Sequence, residues 1–285
     1  MKRRDSAVRR WIVERIQAVL TKPISDYELH APNDLARLRR HLRKGDLVLV
    51  EGEQRVSLVI KYLTQSSWSH AALYIGDELL EREPARRAEL RAQFGEDAEH
   101  LIVEALMEGV VVSPISKYLD FNLRVCRPTG IRREDLARVL DHAIARIGLR
   151  YDLRNIVDLA RYFFPVSLIP RRFRRRALSL GSGQPTQVIC TSMIAEAFAN
   201  VGFPILPRVV ATGVESRTGF VDRLLGRRRS TTRYFRRSPS LVTPREFDLS
   251  PYFEIVKIHY VDDARFDYRT IAWAEDERER ASGGG

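Results

Sequence analysis

Two residues of this 285-residue chain stand where a nucleophile and its base would have to stand. Cys190 opens the run Cys-Thr-Ser-Met-Ile-Ala-Glu-Ala-Phe-Ala-Asn, which reads as a helix stopped by Gly202. A cysteine attacks only as its thiolate. The unpaired N–H groups and the dipole at a helix start favour that charge, and they would also hold an oxyanion during acyl transfer. The same position suits a small buried hydrophobe, which is what most free cysteines are. The base must come from elsewhere, and the chain has six histidines. His30 and His41 lie in a basic N-terminal region, His100 follows a charged loop, His142 falls on the polar side of a strong helix, and His259 falls in the final strand. His70 differs, because it begins a nearly apolar β-like run behind a polar Ser66-Ser-Trp-Ser. There it is either an edge residue or a positioned catalytic group. Glu104 ends the apolar Leu-Ile-Val of the next strand. Its carboxylate either caps that strand or faces His70 and orients the imidazole.

Placing these groups together requires a sheet and at least one helix. Gly45-Asp46 starts a strand over Leu47 to Val50, a helical piece covers about 55–64, and Ser69 to Gly76 reads as β before a Gly-Asp turn. Leu101 to Leu106 and Gly109 to Val112 form a strand pair around Glu108-Gly109, and Phe121 to Cys126 is a further strand closed by Pro128. Ile131 to Ile147 is an amphipathic helix with Leu136, Val139, Leu140, Ala143, Ile144 and Ile147 on one face, ended by Gly148. Phe253 to Val261 supplies the last strand. Upstream, residues 7–20 have helical spacing, and Asn33 reads as the N-cap of a second helix running to about Arg43. The charged stretch 82–99 reads as a solvent-exposed insertion or hairpin. The expectation is an α+β chain with one antiparallel sheet packed against helices.

With 44% hydrophobic and 30% charged residues the composition is that of an ordinary globular protein, which argues against a disordered or fibrous chain. No uninterrupted apolar stretch approaches the ~20 residues that span a bilayer. Arg9, Arg10, Glu14 and Arg15 interrupt any signal-peptide core at the N-terminus, so a cytoplasmic location is expected. The two cysteines, Cys126 in a strand and Cys190 on a helix, read as free thiols. The net charge of +11 is clustered: residues 161–178 hold six Arg and no acid, and residues 223–237 hold seven Arg and no acid. Such blocks are either solvated surface or attractors of polyanions.

Taken in order, Gly45-Asp-Leu-Val-Leu-Val, Ser69-His-Ala-Ala-Leu-Tyr-Ile-Gly, Val103-Glu-Ala with Gly109-Val, Gly148-Leu-Arg-Tyr-Asp and Cys190-Thr-Ser resemble the circularly permuted papain-like cysteine hydrolases, the YiiX-like branch of the NlpC-type amidases. The closing Thr243-Pro-Arg-Glu-Phe-Asp-Leu-Ser-Pro before a strand is similar to that branch as well. The similarity spans about 44–260, with insertions. It implies a circularly permuted papain-like fold in which Cys190 is the nucleophile, His70 the base and Glu104 the orienting group. It further implies that Tyr151 matches the tyrosine of a Gly-x-x-Tyr motif beside the oxyanion, although Tyr151 also reads as a packing residue at a helix exit. Ser69, Thr191 and Ser192 flank the base and the nucleophile and are expected to contact substrate. No metal or cofactor is implied. Two features depart from the family pattern: Cys190-Thr191-Ser192 replaces the usual Cys-Ser followed by Glu, and a long insertion separates Tyr151 from Cys190.

That insertion carries Tyr162-Phe-Phe-Pro-Val-Ser-Leu-Ile-Pro directly before Arg171, Arg172, Arg174, Arg175 and Arg176. Aromatic and apolar side chains beside arginines suit an anionic membrane surface. Arg227 to Arg237, with Tyr234 and Phe235, repeats that chemistry. Arginine with aromatics also suits nucleic acid, but no recognition motif accompanies them, so nucleic acid is not the expected partner. The combined expectation is a thiol hydrolase of amidase or peptidase type, working on an acyl or peptide-like substrate through an acyl-enzyme. The alternatives are a lipid acyl hydrolase or acyltransferase at a membrane surface, peripheral on its inner face, and a non-catalytic membrane-binding module. The expected organisation is a basic helical N-terminal extension over 1–44, the hydrolase domain over 45–262 with insertions at 153–185 and 211–240, and a tail over 263–285.

Overall fold

The computed structural model describes residues 22–23, 27–30, 32–106, 109–149, 189–212 and 231–258; of Cys190 it describes the backbone alone. Within them the chain runs α1 (Leu35–His41), β1 (Leu47–Val50), α2 (Arg55–Thr64), β2 (His70–Gly76), α3 (Glu78–Arg82), α4 (Arg87–Phe94), β3 (Leu101–Leu106), β4 (Gly109–Pro114), β5 (Leu123–Pro128) and α5 (Arg133–Ile144). It continues with α6 (Ile189–Asn200), β6 (Arg208–Thr212), β7 (Thr231–Phe235), α7 (Pro244–Asp248) and β8 (Phe253–Val256). Six strands form one sheet in the order β4-β3-β2-β1-β5-β8, every neighbouring pair antiparallel. The architecture is α+β, as the strand and helix patterns predict.

The sheet is covered on both faces, so its central strands are apolar at consecutive positions instead of alternating. All four residues of β1 are buried. Side chains of successive strand residues point to opposite faces. One face gathers Leu47, Leu49, Ala71, Leu73, Ile75 and Val103 with Val139 of α5 and Met193, Ile194 and Phe198 of α6. The other gathers Val48, Val50, Ala72, Tyr74 and Ile102 with Leu38 and Leu42 and with the 3-10 turn Ile115–Tyr118. Residues 32–44 are thus part of the packed unit, since Leu38 is buried against the sheet.

Two of the family-like motifs have structural explanations. Gly45 has φ +91°, and a Cβ there would lie 2.3 Å from Leu136 Cδ1, so only glycine fits. Asp46 is buried and binds Arg127 through two bonds, Nε to Oδ1 at 2.8 Å and Nη2 to Oδ2 at 2.7 Å, which pins the start of β1 to β5. In the closing motif Thr243 caps α7 and Glu246 returns to the Thr243 N–H at 2.8 Å, with Pro244 in the first turn. Phe247 of that turn is buried in the core, and Asp248 accepts from Trp68 Nε1 at 3.2 Å.

Several expectations are corrected. The N-cap of α1 is Asp34, whose Oδ1 accepts from the Ala36 N–H at 2.8 Å. Asn33 uses its amide instead to donate to the Leu119 and Phe121 carbonyls, because its Nδ2 is a donor and two strand-approach carbonyls need one. The stretch 82–99 is helical and partly packed, with Leu90 and Ala98 buried. Its few apolar residues are spaced for one contact per turn, a signal too sparse beside so many charges. The expected excursion 211–240 starts in the last residues of β6 and contains β7, and these two strands pair into a separate two-stranded ribbon. The helix expected over 7–20, the insertion 153–185 and the tail 263–285 lie outside the described residues. Among the described residues no helix is long and apolar enough to cross a membrane.

Candidate active site

His70 is the first residue of β2, and Glu104 lies in β3 opposite Ala72. The two are therefore diagonal neighbours on one face of an antiparallel pair, within reach of long side chains. His70 Nε2 donates to Glu104 Oε2 at 2.7 Å. A carboxylate only accepts, so the bonded nitrogen carries the proton and proton transfer falls to Nδ1.

Glu104 is fully buried, at 0% exposure, whereas His70 retains 16%. An isolated buried carboxylate would become neutral. Here Lys117 Nζ donates to Oε1 at 2.7 Å, and the Tyr118 hydroxyl donates to Oε2 beside His70. Burial works to raise the Glu104 pKa, but the hydrogen bond and charge of His70 and the Lys117 ammonium outweigh it and hold the carboxyl far below its usual range. Glu104 is thus a permanent anion under an imidazole. Tyr118 also stands at 6.1 Å from the His70 ring, centroid to centroid, and supports it from the side.

Lys117 and Tyr118 were not among the expected site residues. Both belong to the 3-10 turn after β4, and nothing in the run Ile-Ser-Lys-Tyr marks it as the floor of a site. The only available signal was a lysine and a tyrosine immediately after a strand paired to that of Glu104.

The remaining expected residues are placed as follows. Cys190 is the second residue of α6, with its side chain outside the described residues. Tyr151 and Arg171, Arg172, Arg174, Arg175 and Arg176 lie outside the described residues altogether. Ser69 is buried, and its Oγ accepts the Gly52 N–H at 2.9 Å, which ties the start of β2 to the loop after β1. Thr191 is buried, with its hydroxyl donating to the Val242 carbonyl. Ser192 is half-buried on the first turn of α6. Cys126 is fully buried in β5, and desolvation pushes its thiol up to about 12, which makes it an inert core residue. Among the described residues no group of three or more His, Cys, Asp or Glu converges in a way that would hold a metal ion.

Fold and site together define a class, an antiparallel α+β protein that offers a carboxylate-oriented histidine at a strand start and a cysteine in the first turn of a packed helix. Residues 41–177 match the family described as permuted papain-like amidase enzymes, YaeF/YiiX, C92 family. Over those residues the chain is similar to permuted papain-like proteins of the YaeF/YiiX kind, a family described as amidases. The matched stretch contains His70, Glu104 and Tyr151 and ends before Cys190. Among solved structures the chain is similar to one described as the metalloprotein yiiX from Escherichia coli O157:H7, at 15% identity and a TM-score of 0.41, covering 75% of this chain and 96% of that one. A superposition that loose carries no argument about this site. No curated protein matches the chain.

Proposed function

We propose that the protein is a thiol amidase in which Cys190 attacks the carbonyl of a peptide-like or acyl substrate, His70 is the base and Glu104 the orienting anion. The observation that carries this reading is the bond from His70 Nε2 to the buried Glu104. A fully buried glutamate held ionised against an imidazole is expensive unless it orients or charges that ring. In this scheme His70 Nδ1 takes the Cys190 thiol proton, the thiolate forms an acyl-enzyme, and the same nitrogen returns the proton to the leaving amine. Water, giving a proton to the same nitrogen, then attacks the thioester, and Cys190 leaves as the thiolate with release of the acid. Backbone N–H groups in the first turn of α6, with Tyr151, would hold the oxyanion. By register His70 shares the face of Ala72 and Ile102, while α6 packs on the face of Ala71, Leu73 and Val103. The reading therefore requires the first turn of α6 to meet His70 past the start of β2, and not across the sheet. Residues 45–262 would form this hydrolase domain.

Alkylation against pH tests the pairing directly. Cys190 is expected to react with iodoacetamide well below pH 8.5, the ordinary thiol value, and His70→Ala should move its reactivity up towards that value. Cys126, with its thiol pushed up to about 12, should stay unlabelled until the protein unfolds and so serves as an internal control. A Cys190 that labels like a free peptide thiol in the parent protein would sink the assignment.

A second reading, a lipid acyl hydrolase or acyltransferase at a membrane surface, is favoured by one observation. Tyr234, Phe235 and Val209 are exposed on the β6–β7 ribbon, where Arg208 stacks on Phe235 at 5.7 Å. Under this reading the full chain co-sediments with vesicles containing anionic lipid but not with neutral ones. Replacing both Tyr234 and Phe235 by Ser should reduce the bound fraction severalfold, and equal recovery in the supernatant with either vesicle removes the reading.

A further inference from the structure

Beside the second half of α6 the described residues line an open cavity of about 300 Å³. Its walls are mostly apolar, with Ala199, Phe203 and Tyr252 among them, and Arg236, Arg237 and Glu246 also line it. Ala195 is the lining residue of α6 nearest Cys190, about 7.5 Å along the helix from it, and Val242, also in the lining, accepts the Thr191 hydroxyl, so the cavity begins one to two turns beyond the proposed nucleophile. Its volume lies at the lower end of the range for small-molecule sites.

Two arginines stand at this cavity, and their situations differ. Arg237 is neutralised by Glu246 at 2.9 Å, and the same glutamate closes the capping box of α7, so that pair serves the fold. Arg236 has no carboxylate partner among the described residues. Its Nη2 lies 3.3 Å from where a Cβ on Gly202 would be, just beyond the carbonyl end of α6. Only a partial negative charge is available there. An apolar chamber beside an uncompensated guanidinium suits neither a hydrated inorganic anion nor a neutral hydrocarbon alone. The first gains nothing from the walls, and the second leaves the cation unused.

We propose that this cavity binds a small amphipathic anion, with a short apolar body seated against Ala199, Phe203 and Tyr252 and a single carboxylate or phosphate head paired with Arg236. The pairing would be a charge-assisted bond in which the planar guanidinium engages two anion oxygens. The proposal concerns a binding site only and does not depend on the catalytic reading above.

Isothermal titration of the full chain with octanoate, acetate and octyl phosphate, each below its micellar concentration, tests this. Saturable binding of one octanoate or octyl phosphate per chain is expected, with no detectable binding of acetate. Arg236→Gln should weaken the association by at least about tenfold, the usual consequence of losing one charge-assisted bond. Ala199→Leu, which fills the chamber, should abolish it, with an unchanged circular-dichroism melt showing that the variant is folded. Arg236 is at the surface, so its variant reports even if the alanine variant fails to fold. Absence of octanoate and octyl phosphate binding overturns the proposal, as does binding that survives Arg236→Gln at full strength. Association seen with anionic vesicles but not with monomeric octanoate or octyl phosphate overturns it as well, and assigns the arginines to a membrane surface.

Discussion

Cys190→Ala is expected to lower amide turnover by at least about a thousandfold, the scale seen when a covalent nucleophile is removed from an array that acts as a unit. Nothing else in the proposed array supplies a nucleophile that forms an acyl intermediate, and what remains is binding and oxyanion stabilisation. The fold should survive. Cys190 is the second residue of α6, alanine is the best helix former, and the helix is held by Met193, Ile194, Ala197 and Phe198, all buried in the core. A thermal melt within a few degrees of the parent, alongside lost turnover of an acyl-peptide substrate, is the expected pair of results. Turnover equal to that of the parent protein would mean that this cysteine is not the nucleophile.

Glu104→Gln should damage both stability and activity. Three donors converge on the carboxylate: His70 Nε2, Lys117 Nζ and the Tyr118 hydroxyl. A glutamine offers one acceptor oxygen and one amide donor, so at least one buried donor would face another donor. Removing one partner from such a buried array costs about 3–5 kcal/mol, readable as a lower urea midpoint. Lys117 softens this, because its side chain is 37% exposed and can turn to water. Turnover should fall by about 10²–10⁴-fold through loss of the His70 tautomer and of imidazolium stabilisation. Undiminished turnover in a folded Gln variant would remove Glu104 from the mechanism.

The same residue sets an acid dependence. Its folded-state pKa lies below the ordinary 4.5, so its ionised form stabilises the fold fully above that value. The contribution is withdrawn as pH falls below about 4.5 and the unfolded chain takes up the proton first. Stability curves of the parent and of Glu104→Gln should therefore converge on the acid side. Parallel curves from neutral to strongly acid pH would contradict the assignment of a depressed pKa.

Much of this architecture is visible in local pattern. Runs such as Leu47 to Val50 and Leu101 to Val103 are apolar without alternation, which marks strands covered on both faces, and the structure covers them so. The stop at Gly202 and the amphipathic run that became α5 follow from conformational preference and from periodicity. The family resemblance rested on motif order, and two of those motifs prove to be fold devices: Gly45-Asp46 seats β1, and Thr243-Pro244 starts α7. What failed was local as well. Asn33 and Asp34 are both good caps by type, and only the carbonyls of Leu119 and Phe121, some 90 positions away, take the asparagine.

The neighbourhood of His70 divides in the same manner. That a histidine begins a buried strand, and that a glutamate ends the apolar part of the next, can be read from residue order, because alternation and burial are properties of short segments. That the two meet at 2.7 Å depends on the pairing register of β2 with β3, in which Ala72 stands opposite Glu104. That the glutamate stays charged depends on Lys117 and Tyr118, delivered by a turn after β4. Register and turn placement are set by packing between segments distant along the chain, and no single segment carries that information. The amino-acid order therefore specified which groups were available for chemistry, and the three-dimensional packing decided which atoms face one another and which of them hold a charge.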